Sequence, residues 1–121
     1  MTRVAPVPRH LLVVLPNPIG DAVMATPALR ALREHLPDTR ITWAGRPGPQ
    51  AALEGLALRD AVVPLAGPMA KGLRAPGRAG RFLRRLAADT ALLMPNSFSS
   101  AWMARVARIP VRIGSTLHGR S

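Results

Sequence analysis

Short apolar segments of strand length alternate with helix-like segments along this chain of 121 residues. The first strand is predicted over residues 10–15, where the unbroken apolar run from Leu11 onward is typical of a strand buried on both faces of a parallel sheet. Neighbouring parallel strands need a crossover connection, usually a helix, so the alternation predicts an α/β fold with a doubly wound parallel sheet. Further strands are predicted over residues 40–44, 61–65, 90–94 and 111–113.

A long helix is predicted between the first two strands, over residues 20–36. Pro27 lies inside this segment, where a proline removes a backbone hydrogen bond. Two interpretations are open: one helix kinked at Pro27, or a second helix that Thr26 caps with Pro27 at its first position. The single kinked helix is the preferred prediction. The apolar side chains near one face of the helix are Val23, Leu29, Leu32 and Leu36.

The connections on either side of the third strand have weaker patterns. A short helix is predicted over residues 51–56, after a Gly/Pro loop. Residues 66–80 are predicted to form a basic loop, followed by a helix over residues 81–88. That helix is expected to turn Arg84 and Arg85 outward. Its inward side chains are expected to be Phe82, Leu83 and Leu86.

The composition limits the class of protein. Lys and Arg number 17 against 6 Asp and Glu, and the resulting net charge of +11 attracts phosphates, carboxylates and anionic membranes. Aromatic residues make up only 3%, so a base-stacking platform for nucleic acid is not expected. Cysteine is absent, which excludes disulfides and thiolate metal sites. The apolar run at residues 11–15 is too short to span a membrane, and the chain is predicted to be soluble and cytoplasmic.

The segment after the first strand, residues 16–21, reads Pro-Asn-Pro-Ile-Gly-Asp. Ligands of open α/β sheets bind at the carboxyl ends of the strands, so this segment is expected to face a cleft. It is neither a dinucleotide fingerprint nor a P-loop, because Gly20 is its single glycine and no Gly-Lys-Ser/Thr sequence follows. Two roles are open for Asp21: stabilisation of a helix N-terminus, or a general base acting on a sugar hydroxyl. The spacing alone favours the first role.

A second polar segment follows the fourth strand. Asn96 or Ser97 is predicted to cap a helix there, but the asparagine and three serines of residues 96–100 exceed what one cap needs. Their hydroxyl, amide and backbone N–H groups are suited to sugar or phosphate oxygens. The inner face of this helix is predicted to hold Phe98, Trp102 and Val106. The three histidines share no metal-ligand spacing: His10, His35 and His118.

Together with a third segment at residues 109–120, these features resemble glycosyltransferase family 9, the bacterial ADP-heptose:lipopolysaccharide heptosyltransferases. The resemblance rests on Gly20-Asp21, on Thr-Pro-Ala-Leu-Arg at residues 26–30, and on Met-Pro-Asn-Ser-Phe-Ser-Ser-Ala at residues 94–101. It continues with Ile-Pro, Arg, Gly and Gly-Arg at positions 109, 110, 112, 114 and 119–120. The Pro-Asn-Ser-Phe version is most similar to the heptosyltransferase II branch. The basic loop is richer in arginine and glycine than the family pattern.

The resemblance implies an inverting, metal-independent transfer without a cofactor, in a two-domain GT-B fold. Residues 1–121 would then form an incomplete N-terminal, acceptor-side domain with a Rossmann-like doubly wound sheet. The C-terminal domain that holds the nucleotide sugar would be absent, and this fragment alone is expected to be inactive. The implied substrates are ADP-heptose and a Kdo/heptose–lipid A acceptor. The implied location is cytoplasmic, in peripheral contact with the anionic inner membrane, without nucleic acid.

The resemblance also implies site residues. It favours Asp21 as the catalytic base, reversing the preference from spacing alone, and places Asn17 and Gly20 beside the donor sugar. Asn96 and Ser97 are expected to contact sugar or acceptor. The anionic acceptor is expected to meet a basic group of residues: Lys71, Arg74, Arg78, Arg84 and Arg85.

Three alternatives are kept. The chain could belong to a family 9 enzyme with another donor sugar, which these residues do not determine. It could be an inactive, truncated product. It could also be a basic module that binds RNA or another polyanion, but such a module predicts aromatic residues or a recognition motif among the basic ones, and the sequence has neither.

Overall fold

The structure is a computed structural model that describes residues 7–16, 19–53, 55–65, 75–94, 103 and 105–114. Its five strands form one sheet in the order β3-β2-β1-β4-β5, and every neighbouring pair is parallel. This arrangement confirms the predicted doubly wound α/β fold, and each strand differs from its predicted range by one residue at its carboxyl end. The strands are β1 (His10–Val14), β2 (Arg40–Gly45), β3 (Ala61–Pro64), β4 (Thr90–Leu93) and β5 (Val111–Gly114).

The segment between β1 and β2 contains two helices, α1 (Ile19–Met24) and α2 (Thr26–His35). The preferred prediction of a single kinked helix is therefore wrong, and Ala25 separates the two. Ala25 still donates its N–H to the Asp21 carbonyl at 3.0 Å, but Pro27 has no N–H with which to continue the pattern. Thr26 is not the cap either, because Ala25 occupies that position without a side-chain hydrogen bond.

The third helix, α3 (Pro47–Ala52), begins four residues before the predicted range of residues 51–56. The Gly/Pro run was predicted to be a loop, but proline is favourable in the first turn of a helix because that turn does not need its N–H. Gln50 then fixes α3 against the sheet, since its side-chain amide donates to the carbonyls of Gly45 at 2.9 Å and Val63 at 2.8 Å.

The fourth helix, α4 (Ala75–Leu83), begins inside the predicted loop and continues as a 3-10 turn over Arg84–Leu86. The predicted helix over residues 81–88 is therefore displaced, and the chain leaves the turn at Ala87, whose φ is 52°. The displacement also changes which side chains of the helix face the core. Phe82 is 41% exposed rather than packed inward, whereas Leu83 is buried, Leu86 is half-buried and both turn arginines are exposed as predicted.

Helices cover both faces of the sheet, as double winding requires. Ala22 and Leu29 from α1 and α2 pack with Leu11, Ile41 and Trp43 on one face. On the other face, Ala79 and Leu83 from α4 pack with Met103 and Ala107, which belong to the helical segment before β5. Val23 was predicted to face the core but is 49% exposed, because α1 turns mainly the small Ala22 inward.

Half-buried polar groups hold the amino-terminal edge of the sheet. His10 Nδ1 donates to the Leu86 carbonyl at 3.0 Å, so in the neutral ring Nε2 accepts from the buried Thr42 hydroxyl at 2.8 Å. Burial lowers the pKa of His10, outweighing the opposite effect of the Leu86 carbonyl. Asp89 accepts the Arg9 N–H at 2.9 Å. Its burial alone would raise its pKa, but the N–H groups of Arg9 and His10 and the Thr90 hydroxyl lower it.

Arg33 and Asp60 form a second structural contact at this edge, 3.1 Å apart. The Asp60 carboxylate accepts the Ile41 N–H at 2.8 Å, and that bond, together with Arg33, lowers the pKa of Asp60 against a smaller opposite effect of burial. Arg33 also donates to the carbonyls of Leu36, Pro37 and Thr39 beyond the end of α2. Both His10 and Arg33 are thereby explained by structure alone.

Candidate functional site

The strand order creates a topological switch point at β1 and β4. From β1 the chain enters α1 on one face of the sheet, and from β4 it enters the segment of Met103 on the opposite face. The two strands end side by side: Val14 pairs with Leu93, and the Met94 N–H donates to the Val14 carbonyl at 3.1 Å. Ligands of open α/β sheets bind in the crevice at such a point, outside the carboxyl ends of the strands. We refer to Val14, Leu93 and the residues directly after them as the switch-point edge.

Asp21 lies in the first turn of α1, the helix that follows β1. Its neighbour Ala22 is fully buried and anchors the turn, whereas the Asp21 side chain is exposed. Among the described residues, the Asp21 carboxylate has no hydrogen-bond or ion-pair partner. The carboxylate is therefore accessible to an external group.

Gly20 precedes Asp21 in the same turn. A Cβ atom built on Gly20 meets no described atom within 4 Å, and its φ lies outside the positive range that favours glycine. Packing within the described part of the chain therefore gives no reason for a glycine here, although a glycine in a helix costs about 0.5–1 kcal/mol relative to alanine. The open space adjoins the same first turn of α1 that carries Asp21.

Several predicted site residues lie outside the described residues: Asn17, Lys71, Arg74, Asn96 and Ser97. The strands that lead to two of these segments are nevertheless described. Asn17 follows Pro16 at the end of β1, and Asn96 lies two residues after Met94 at the end of β4. Because β1 and β4 are neighbours, the topology starts both polar segments from the same edge of the sheet.

The structure separates the predicted basic group. Arg78 is exposed in the first half of α4, which connects β3 to the start of β4. Arg84 and Arg85 lie at the opposite, amino-terminal edge, since the neighbouring Leu86 carbonyl bonds to His10 at the start of β1. A strand of four or five residues separates the two edges, about 13–17 Å. Arg84 and Arg85 therefore lie away from the switch-point edge, and their expected contact with an anionic acceptor stays a prediction.

Sequence reasoning also missed two exposed apolar side chains beside Asp21. Val23 is 49% exposed and Met24 is 79% exposed. Pro27 was the sequence signal for this exposure. It marks the break between α1 and α2, so Val23 and Met24 do not continue the apolar face of α2. Within the described ranges, no group of three or more His, Asp or Glu residues could hold a metal ion. In the same residues, no helix is long and apolar enough to cross a membrane.

Comparison with known proteins agrees with this geometry. The sequence profile of glycosyltransferase family 9 (heptosyltransferase) matches residues 77–121. The structure is similar to that of ADP-heptose lipopolysaccharide heptosyltransferase II from Escherichia coli, with a TM-score of 0.74 and 27% identity over 87% of this chain. The chain therefore resembles a family 9 heptosyltransferase in part of its sequence and in its fold. No curated protein sequence matches it significantly.

Two further structures share the fold of this family 9-like chain. A family 9 glycosyl transferase from Veillonella parvula has a TM-score of 0.77 at 17% identity, covering 92% of this chain. The C-terminal domain of a hydrogenase from Pyrococcus furiosus has a TM-score of 0.55 at 15% identity, covering 95% of this chain and 98% of that domain. At these identities the likeness concerns the Rossmann-like α/β fold alone. This chain spans 30% of the E. coli heptosyltransferase structure and 33% of the Veillonella structure.

Proposed function

We propose that this chain forms the acceptor-side domain of an inverting glycosyltransferase that transfers heptose from ADP-heptose to the inner core of lipopolysaccharide. The observation that carries the proposal is the exposed Asp21 carboxylate in the first turn of the helix after β1, in a chain whose sequence and fold resemble family 9. The nucleotide sugar would be held mainly by a second domain, in the part of the relatives' length that these residues do not span.

In the proposed reaction, Asp21 acts as general base. Its carboxylate takes the proton of an acceptor hydroxyl while that oxygen forms a bond to the anomeric carbon of heptose. The bond from the anomeric carbon to the phosphate oxygen breaks, and ADP leaves with the bonding electrons. Attack and departure on opposite faces of the sugar invert the anomeric centre, as in inverting glycoside hydrolysis. We propose that no metal ion or cofactor takes part, so that a chelator would leave the rate unchanged.

The glycine before the base supports this assignment. Its open surroundings leave room for a sugar or phosphate group close to the backbone of α1. Asn17, Asn96 and Ser97 belong to segments that start from the same edge, and we propose that they contact the donor sugar or the acceptor. Their amide and hydroxyl groups provide both donors and acceptors for sugar hydroxyls.

The acceptor is proposed to be an anionic Kdo/heptose–lipid A core, met by Lys71, Arg74 and Arg78. Arginine suits carboxylates and phosphates because its planar guanidinium donates two parallel hydrogen bonds. The arginines at the opposite edge of the sheet are left out of this group. Neutralising Arg74 and Arg78 together should raise the KM for the acceptor with little change in kcat. An unchanged KM would remove them from the acceptor site.

The donor is the part of the proposal that needs the most direct test. We would assay the full-length protein with ADP-heptose and with other nucleotide sugars, using a core lipid that lacks the outer heptose as acceptor. Transfer from ADP-heptose alone supports the proposal. Transfer from a different nucleotide sugar would keep the base and the inverting chemistry but replace the donor. Residues 1–121 assayed alone are expected to be inactive, because we propose that most of the donor site lies in the part of the relatives' length that they do not span.

A further inference from the structure

We propose that the outer face of α4 docks on an anionic lipid bilayer. We define this face as Arg78, Arg81 and Phe82 of α4 together with Arg85 of the 3-10 turn that continues it, all of which are exposed. The opposite side of the same helix faces the core, where Ala79, Gly80 and Leu83 are buried. Positions 78, 81, 82 and 85 follow the three- and four-residue spacing that places side chains on one face of a helix.

The positive charge of the chain is concentrated in the part of the sequence that contains α4. Residues 66–121 contain ten Lys and Arg and one acidic residue, Asp89, so they carry nine of the eleven net positive charges. The Asp89 carboxylate faces the backbone of Arg9 and His10 at the edge of the sheet. Among the described residues, no carboxylate forms an ion pair with Arg78, Arg81 or Arg85. These guanidinium groups are available to an external anion.

Arg84, in the same segment, differs from these three arginines because it has a structural role. Its Nε and Nη2 atoms donate to the Val106 carbonyl at 3.2 and 2.8 Å, and they join the turn after α4 to the helical segment before β5. Arg78, Arg81 and Arg85 have no such contact with the described residues. Contacts with the described part of the chain therefore do not account for these three arginines.

Phe82 determines which polyanion fits. Its ring is 41% exposed between Arg78, Arg81 and Arg85, although one helical turn onward the smaller Leu86 is packed against the core. An exposed aromatic ring surrounded by arginines is suited to a bilayer surface, where the ring enters the acyl boundary and the guanidinium groups stay at the phosphates. One ring gives no succession of stacking platforms for nucleic acid bases. The face spans about 10 Å along the helix, and mobile lipid headgroups can adjust to its arginines.

This inference deepens the proposed function, because an acceptor anchored by lipid A would be reached from the bilayer surface. It does not depend on transfer for its test. The first measurement is co-sedimentation of the chain with vesicles of phosphatidylcholine containing 30% phosphatidylglycerol, against pure phosphatidylcholine vesicles. We expect binding to the anionic vesicles only, weakening as salt is raised from 0.1 to 0.5 M.

The matched variants have the same net charge. Arg81→Gln with Arg85→Gln removes two charges from the α4 outer face, whereas Arg30→Gln with Arg40→Gln removes two exposed charges elsewhere. A basic residue near such a surface contributes about fivefold to binding, so the first pair should weaken vesicle binding about 25-fold and the second pair less than about threefold. Phe82→Ser should weaken it about fivefold without a change of charge. Circular dichroism checks that each variant is folded.

Three results with the variants would overturn the inference: equal losses from both pairs, unchanged vesicle binding by the Arg81/Arg85 pair, or a loss of RNA binding alone. Equal losses from both pairs would mean that net charge alone drives binding. Unchanged vesicle binding by the Arg81/Arg85 pair would remove the face from docking, and a loss of RNA binding with vesicle binding intact would make it a nucleic acid surface. In the full-length protein, the same pair should slow transfer to vesicle-bound acceptor and spare transfer to a lipid-free core oligosaccharide. If the parent transfers heptose to neither acceptor, the proposed function fails while the vesicle result stands.

Discussion

Gly80 allows α4 to lie directly against the helical segment before β5. A Cβ atom at this position would lie 2.5 Å from the Met103 carbonyl oxygen and 2.7 and 2.9 Å from the Val106 side chain. Contacts below 3.0 Å do not occur in practice, and the nearest atom belongs to the backbone rather than to a flexible side chain. Gly80→Ala therefore requires α4 to move away from its neighbour.

The size of the effect follows from two opposing contributions. Alanine is favoured over glycine in a helix by about 1 kcal/mol. Overpacking of a tight contact costs about 1–3 kcal/mol, and the movement also strains the Arg84 bonds to the Val106 carbonyl. We expect a net decrease of about 1–2 kcal/mol in the free energy of unfolding, which lowers Tm by several degrees, about 4 °C per kcal/mol for a chain of this size.

Urea unfolding followed by circular dichroism measures this change. Gly20→Ala is the matched control, because it places the same Cβ atom on a helix where nothing described lies within 4 Å. The control should equal or slightly exceed the parent in stability. If Gly80→Ala were as stable as the parent, the close packing of α4 against Met103 and Val106 would be wrong.

Three further predictions concern the switch-point edge and the opposite edge. Gly20→Ala should lower transfer by the full-length protein while leaving its stability equal or higher, since the new Cβ fills only space proposed for ligand; normal transfer would show that no ligand approaches there. The pKa of His10 is lowered in the fold, so its contribution to stability is complete above about pH 6.5 and is lost as pH falls below that value. Between pH 7.5 and 5.5, the free energy of unfolding measured with urea should therefore decrease less for His10→Gln than for the parent. An equal decrease would assign the pH dependence to other groups. The pKa of Asp60 is also lowered, so the stabilisation it provides is complete above about pH 4 and is lost as pH falls through the lower folded pKa. Asp60→Ala should lower the free energy of unfolding by about 1 kcal/mol at pH 7, because the Ile41 N–H loses its acceptor. That difference should vanish in acid, and its persistence there would contradict the prediction.

The sheet was predictable because its strands carry strong local signals. Leu11 begins an apolar run that only a doubly covered strand explains, and parallel strands require the crossovers that the structure shows. Asp21 was predicted at the start of the helix after that strand, and it lies in the first turn of α1. The adjacency of β1 and β4 was not derivable from the residues alone, because strand order depends on which faces the helices cover.

The predicted helix boundaries were wrong where a proline or a glycine can either end a helix or belong to one. Pro47 starts a helix instead of a loop, and Gly80 lies inside a helix because its lack of a side chain permits close packing. Both roles depend on tertiary neighbours that a local pattern does not contain. Because the predicted helix over residues 81–88 turned Phe82 inward, the exposed aromatic ring among arginines was not predicted from the sequence.

The contact of the catalytic base with substrate is the central claim, and replacing Asp21 tests it most directly. We would measure kcat and KM for heptose transfer by the full-length protein as wild type, Asp21→Ala and the control Asp38→Ala, which removes an exposed acid in the turn before β2. Loss of a general base should lower kcat by about 10²-fold or more in Asp21→Ala, with folding intact and Asp38→Ala near normal. Near-normal turnover by a folded Asp21→Ala would contradict the account and leave Asp21 with a helix-stabilising role.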